Sequence, residues 1–276
     1  GGPEGAAQVN QRPRAVYPFA APSGPPPAMS GPYMQRIAGV SQLDIQEQAN
    51  IIEAVSAIIG QEIEMANKYR ILANGSEMFF AVEQTDCCTR QLKQILPDCA
   101  PWNVDILYTE GGNSMQAFHM QRDWTCTCCC LNRPVVNVTD VNSGELIGTI
   151  TDPFACCNLT FTVADGDGKD VLTANGGCCQ WGLCCPLPCG PCAEVSFPIE
   201  DADGGNEVGE LKKKVPGCCK FFLAPDVDHF DVNFPGVSDP RHKVLLMGLA
   251  IFMDFRYFSE NPNDDDGGLL GAMSDD

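Results

Sequence analysis

The sequence predicts a mainly β fold: a closed antiparallel β-barrel around a hydrophobic helix near the C-terminal end, with an amphipathic helix ahead of the sheet. Three observations carry that prediction. Five pairs of β-rich segments between residues 69 and 214 each flank a turn signal, which makes an antiparallel sheet large enough to close. A run of ten uncharged residues follows, apolar all round and placed to fill the barrel. Before the first pair, apolar residues recur at helical spacing.

Composition limits the function. The 276 residues carry 17 Lys and Arg against 36 Asp and Glu, a net charge of −19, which repels polyphosphate and argues against nucleic acid as the main partner. At 44% hydrophobic the chain is able to bury a sizeable core. There are 17 cysteines, an odd number that excludes complete pairing within the chain. Most stand side by side, and neighbours on an extended strand point to opposite faces, so reduced thiols in the cytosol fit better than a disulfide framework. No signal-peptide pattern opens the chain, which starts without Met as a fragment or processed form would.

The elements follow in order. Residues 1–40, with eight prolines and six glycines, read as a disordered or polyproline II arm. Its Pro22-x-x-Pro25 matches SH3-type ligands, a spacing that any proline-rich arm also produces by chance. From Ser41 the barrel domain is expected to run over 41–258, opening with a helix over about 42–59: Ser41 and Asp44 suit its start, and Ile45, Ala49, Ile52, Val55 and Ile59 share one face. Hairpins are then expected at 69–72 with 78–82, 105–108 with 115–120, 135–139 with 145–151, 159–163 with 170–173, and 193–199 with 207–214. Asp165-x-Asp167 and Asp201-x-Asp203 lack the later acids of a calcium loop and read as turn residues. Phe230, Val232 and Phe234 alternate as a strand. Val244, Leu245, Leu246, Met247, Gly248, Leu249, Ala250, Ile251, Phe252 and Met253 then form the apolar helix, rising about 15 Å against a hydrocarbon core near 30 Å. It is short for a membrane span, so a buried core helix is the simpler reading. The acidic tail 259–276 is expected to be disordered.

The cysteines admit three readings. Cys185-x3-Cys189-x2-Cys192 suggests zinc, at irregular spacing and without partner histidines. Clustered cytosolic cysteines near Trp124, Leu131 and Leu183 suit fatty thioacylation, since two acyl chains attach stably where one does not. Cys87-Cys88 and Cys156-Cys157 read as small core hydrophobes on strands.

The chain resembles the phospholipid scramblase family over roughly residues 40–260. The resemblance rests on Thr85-Asp86-Cys87-Cys88-Thr89-Arg90, the cysteine cluster from Cys126, the Asp226-Val227-Asp228-His229-Phe230-Asp231-Val232-Asn233-Phe234-Pro235 string, and the pattern from Gly248 through Asp254-Phe255 to Phe258. It implies a tubby-like fold, twelve strands around a C-terminal helix, and ATP-independent, calcium-activated movement of phospholipids between leaflets. It implies also palmitoylation of a central cysteine motif, a type II orientation at the cytoplasmic face of the plasma membrane, and in some members nuclear import when not acylated.

Carried over residue by residue, the calcium loop runs from Asp226 to Val237, with Asp228, Phe230, Val232 and Phe234 at donor places. Only Asp226 and Asp228 offer carboxylates there, Val237 replaces the acid of the twelfth place, and Asp231 is an extra acid, so weak affinity is expected. Cys128, Cys129 and Cys130 match the first half of the palmitoylation motif, and the later run with Cys184, Cys185 and Cys189 has similar composition. Lys212, Lys213 and Lys214 stand where the basic import segment falls, and read also as a solvated strand edge or a headgroup contact.

Two functions compete. One is a membrane-attached lipid transporter, in which so short a segment requires a homo-oligomer or a thinned bilayer. The other is a palmitoylated, calcium-responsive binding or adaptor protein that keeps the helix inside the barrel. Covalent catalysis has little support: His119, His229 and His242 adjoin no nucleophile motif, and no P-loop is present.

Overall fold

Apolar side chains inward and polar side chains outward alternate in strands such as 135–140 and 194–201, whereas 76–85 and 102–110 are buried over consecutive residues, and the sheet closes around a core. The computed structural model describes residues 31–48, 64–85, 87–96, 98–127, 130–184, 190–214 and 229–258. The strands are β1 (Gln42–Glu47), β2 (Glu64–Ala73), β3 (Ser76–Thr85), β4 (Trp102–Glu110), β5 (Asn113–Arg122) and β6 (Val135–Asp140). They continue with β7 (Leu146–Thr151), β8 (Asn158–Asp165), β9 (Asp170–Gly177), β10 (Glu194–Asp201), β11 (Glu207–Lys214) and β12 (His229–Asn233). Each pairs antiparallel with the next, and β1 lies between β2 and β12, which closes the barrel.

All five expected hairpins form. Their tips use the backbone freedom that the sequence supplies: Asn74 and Gly75 at φ 53° and 77°, and Gly111 and Gly112 at 61° and 83°. The carboxylate of Asp165 accepts from the amides of Asp167 and Lys169 at 3.0 and 2.9 Å, and that of Asp201 from Asp203 at 3.2 Å. These aspartates are turn residues, as expected.

Helices α1 (Pro32–Ala38), α2 (Cys87–Ile95) and α3 (Trp181–Cys184) precede the core helix α4 (Pro240–Met253), and all ten residues of its apolar run are buried inside the barrel. Fully burying a Leu, Ile or Phe side chain contributes roughly 1.5–3 kcal/mol, so enclosure is the stable state for this helix in water. Asp239 caps it through the Arg241 amide at 2.8 Å. Gly148 on β7 lets the helix approach: a Cβ there would lie 2.2 Å from the Ala164 carbonyl oxygen and 2.8 Å from Leu245.

Three expectations are corrected. The segment read as a helix over 42–59 begins as β1, with Leu43 and Ile45 buried and Gln42 and Asp44 outward; residues 49–63 lie outside the described residues. Pairing on both sides, which closes the barrel, overrides the helical period. The arm assigned to 1–40 is ordered at its end, as α1 (Pro32–Ala38), which buries Tyr33, Met34 and Ile37 over the mouth of the barrel. Tyr33 donates to Asp140 at 2.9 Å and accepts from Asn142 at 2.8 Å. Residues 1–30 and the tail 259–276 lie outside the described residues. Finally, the cysteine doublets read as core strand positions sit outside the barrel: Cys88 is exposed on α2 (Cys87–Ile95), and Cys156 and Cys157 are exposed before β8.

Candidate functional site

Strand parity sorts the connections. In an antiparallel barrel successive connections alternate ends, so those after β3, β5, β7, β9 and β11 share one end. By chain position, all 17 cysteines fall in those five connections. Cys88, Cys126, Cys130, Cys156, Cys157, Cys178 and Cys179 are exposed there, Cys192 is half-buried and Cys99 is buried. Cys178 and Cys179 bring their sulfurs to 3.6 Å, and the Cys178 amide donates to the Cys157 carbonyl, joining two connections. The side chains of Cys128, Cys129, Cys184, Cys185 and Cys189 lie outside the described residues.

The same end gathers apolar surface. Ile95, Leu96, Trp124, Leu131, Phe154 and Trp181 are exposed there, from 46% to 74%. The opposite end has acids at its hairpin tips, among them Glu110, Asp167 and Asp203, and Asp239 at the start of the core helix. The wall between is polar outward and apolar inward, for example Asn137 and Thr139 against Val136 and Val138. A barrel that faces lipid with its wall has the reverse arrangement, so the surface suited to apolar contact is the cysteine end.

The helix is tied down at that end. Its last residues wind into a π-helical turn, Asp254–Phe258. Asp254 accepts from Tyr69 at 2.6 Å, and Lys213 lies 4.0 Å from Asp254 and over the Phe258 ring at 3.8 Å. Asp152, buried, accepts from Arg256 Nε at 2.9 Å and Tyr257 at 3.2 Å and pairs with Arg133. Arg256 also reaches Asp98. Burial and the Asp152 charge push the Tyr257 phenol up to about 12, and burial and the Asp254 charge raise Tyr69 well above the usual phenol range. At the other end Lys243 donates to the carbonyls of Ala38 and Val40 at 2.7 and 2.6 Å, joining α1 to α4. Sequence reasoning missed Asp152, Tyr69 and Arg133, because nothing local marks residues brought together by a buried network.

The expected calcium loop is only partly in view. Asp226 and Asp228 lie outside the described residues. Phe230 and Val232 are strand residues of β12, as their alternation predicted, with side chains in the core and main chain between β1 and β11. Phe234 has its amide on Ser41 and its carbonyl on Val237. Main-chain oxygens engaged in ladders and turns do not form an open coordination loop, so residues 229–237 do not fit an EF-hand-like calcium site.

Lys212, Lys213 and Lys214 lie on β11, which is paired on both sides. The expectation of a solvated strand edge is corrected, because a closed barrel has none there. Each lysine has an acidic neighbour: Lys212 has Glu210 at 3.2 Å, Lys213 has Asp254, and Lys214 pairs with Asp231. Among the described residues, no helix is long and apolar enough to cross a membrane.

A closed twelve-stranded antiparallel barrel around a hydrophobic C-terminal helix defines a tubby-like protein. The chain belongs to the Scramblase family, whose model matches residues 22–260. Phospholipid scramblase 1 of Mus musculus is 27% identical over 246 residues, covering 88% of this chain and 69% of that protein. Phospholipid scramblase 2 of Bos taurus is 28% identical over 239 residues, covering 86% and 75%. Phospholipid scramblase 4 of Homo sapiens is 25% identical over 245 residues, covering 87% and 68%. No solved structure matches the chain.

Proposed function

We propose that the protein is a membrane-attached phospholipid scramblase that contacts the bilayer end-on, through its cysteine-bearing end. The observation that carries this reading is the exposure of Cys88, Cys126, Cys130, Cys156, Cys157, Cys178 and Cys179 in connections at one end, together with exposed Trp124 and Trp181. Thioacylation of several of these cysteines would anchor that end, and the tryptophans suit the headgroup boundary. Cys126 and Cys130 are the described candidates beside Trp124, with Cys128, Cys129, Cys184, Cys185 and Cys189 in the same connections by chain position. Translocation is ATP-independent in this reading, in keeping with a sequence that has no P-loop. Calcium activation of this movement is what the family resemblance implies, and the calcium comparison in the assay below tests it. The cytoplasmic face of the plasma membrane is the proposed site of action, because thioacylation of cytosolic cysteines attaches a protein there.

The enclosed helix favours a second reading. A helix of 14 residues held at both ends inside the barrel suits a lipidated peripheral protein that binds headgroups or partners without inserting. Acylated protein in vesicles with a fluorescent phospholipid, bleached from outside by a membrane-impermeant reductant, separates the two. Loss of about all fluorescence, with and without calcium, supports translocation; loss of half with the protein still bound supports the peripheral reading. Protein that neither binds nor translocates contradicts both.

A further inference from the structure

We propose that the outer wall of the barrel carries a divalent transition-metal site formed by Asp44, His229 and Asp231, side chains other than those the family resemblance assigns as calcium ligands. Asp44 lies on β1, and His229 and Asp231 on β12. Register pairs Asp44 with Asp231 and Gln46 with His229, so the histidine is one diagonal step from Asp44. Leu43, Ile45, Phe230 and Val232 fill the core, and alternation therefore turns all three side chains to the same outer face. One ligand atom from each lies within 4.8 Å of the others. First-row ions bound at about 2.0–2.2 Å need ligand atoms roughly 3–4 Å apart, so a small closure completes the site.

Two observations point to a ligand here. His229 Nε2 stands 3.0 Å from Asp44 Oδ1. That oxygen is buried and receives no aligned hydrogen bond, so its close approach to the imidazole leaves acceptor capacity that a cation would use. The other Asp44 oxygen accepts from Gln46 at 3.0 Å, which fixes the carboxylate. Asp231 accepts from Lys214 and, at 3.5 Å, from Gln42 Nε2, and a bound cation would compete with the lysine for this carboxylate.

The donor set selects the ion. One imidazole and two carboxylates suit manganese or zinc, whereas calcium takes six to eight oxygens. In the Asp226 string, His229 and Asp231 stand at the fourth and sixth places, which the EF-hand pattern leaves to non-ligands. Because β12 is a strand, these are the places whose side chains face outward.

Manganese is the probe, since the cysteines compete for softer ions. Titrating the full chain and following the free-ion electron paramagnetic resonance signal should show one site, with nitrogen modulation from a single imidazole. H229A should abolish the modulation and weaken binding at least tenfold, D44N should weaken it comparably, and K214Q should tighten it. D226N/D228N should leave both signals unchanged, with thermal unfolding confirming that each variant is folded. Undiminished binding in H229A, absence of nitrogen modulation in wild type, or loss of the site in D226N/D228N alone would overturn the assignment.

Discussion

Asp152 shows how much rests on one side chain. It is 1% exposed and meets Arg133, Arg256 and Tyr257, so removing its carboxylate leaves two guanidinium groups without their shared counter-charge. Asp152→Ala should cost about 3–5 kcal/mol in denaturant unfolding, the magnitude for breaking a buried pair, whereas Asp203→Ala at an exposed tip should change stability by about 1 kcal/mol or less. Tyr257 gives a pH test. Its phenol titrates near 12 when folded and near 10 when unfolded, so the unfolded chain loses its proton first. The neutral phenol therefore stabilises the fold fully below pH 10, and that contribution is lost as pH rises through about 12. Tyr257→Phe should show a shallower fall in stability than wild type across that window.

Between elements, the contact that matters is α4 against the wall. Gly148→Ala places a methyl against a main-chain oxygen and Leu245, and calorimetry should find a loss of about 1–3 kcal/mol as the helix is displaced. The hairpins were legible because Asn74-Gly75 and Gly111-Gly112 state their turns locally, and the helix because ten consecutive residues lack charge. β1 was not: Ile45 and Ala49 also match a helical period, and its strand state comes from β2 and β12, far apart in sequence. The same misreading hid Asp44 as a partner of His229. Alternation in His229, Phe230, Asp231 and Val232 did signal which side chains would share a face. The resemblance brought out Asp226 and Asp228 instead, on a loop pattern that the neighbouring strand does not support.

For the whole molecule, polarity is the property that sequence order concealed. The cysteines are spread from Cys87 to Cys219, and only the parity of the strands puts their connections at one end. The net charge of −19 adds a condition on binding. Deacylated protein should bind zwitterionic vesicles better than anionic ones at low salt, and added salt should narrow the difference within the Debye regime. A preference for anionic vesicles at low salt, seen by flotation, would show an attraction that the charge distribution does not explain. End-on docking is tested most directly by tryptophan quenching with brominated phospholipids, because Trp102 is buried in the barrel while Trp124 and Trp181 are exposed at the cysteine end. Acylated wild-type protein bound to such vesicles should be quenched, and the W124F/W181F double variant, bound equally, should lose that quenching. Bound wild-type protein that is not quenched, or equal quenching in the double variant, would contradict the orientation.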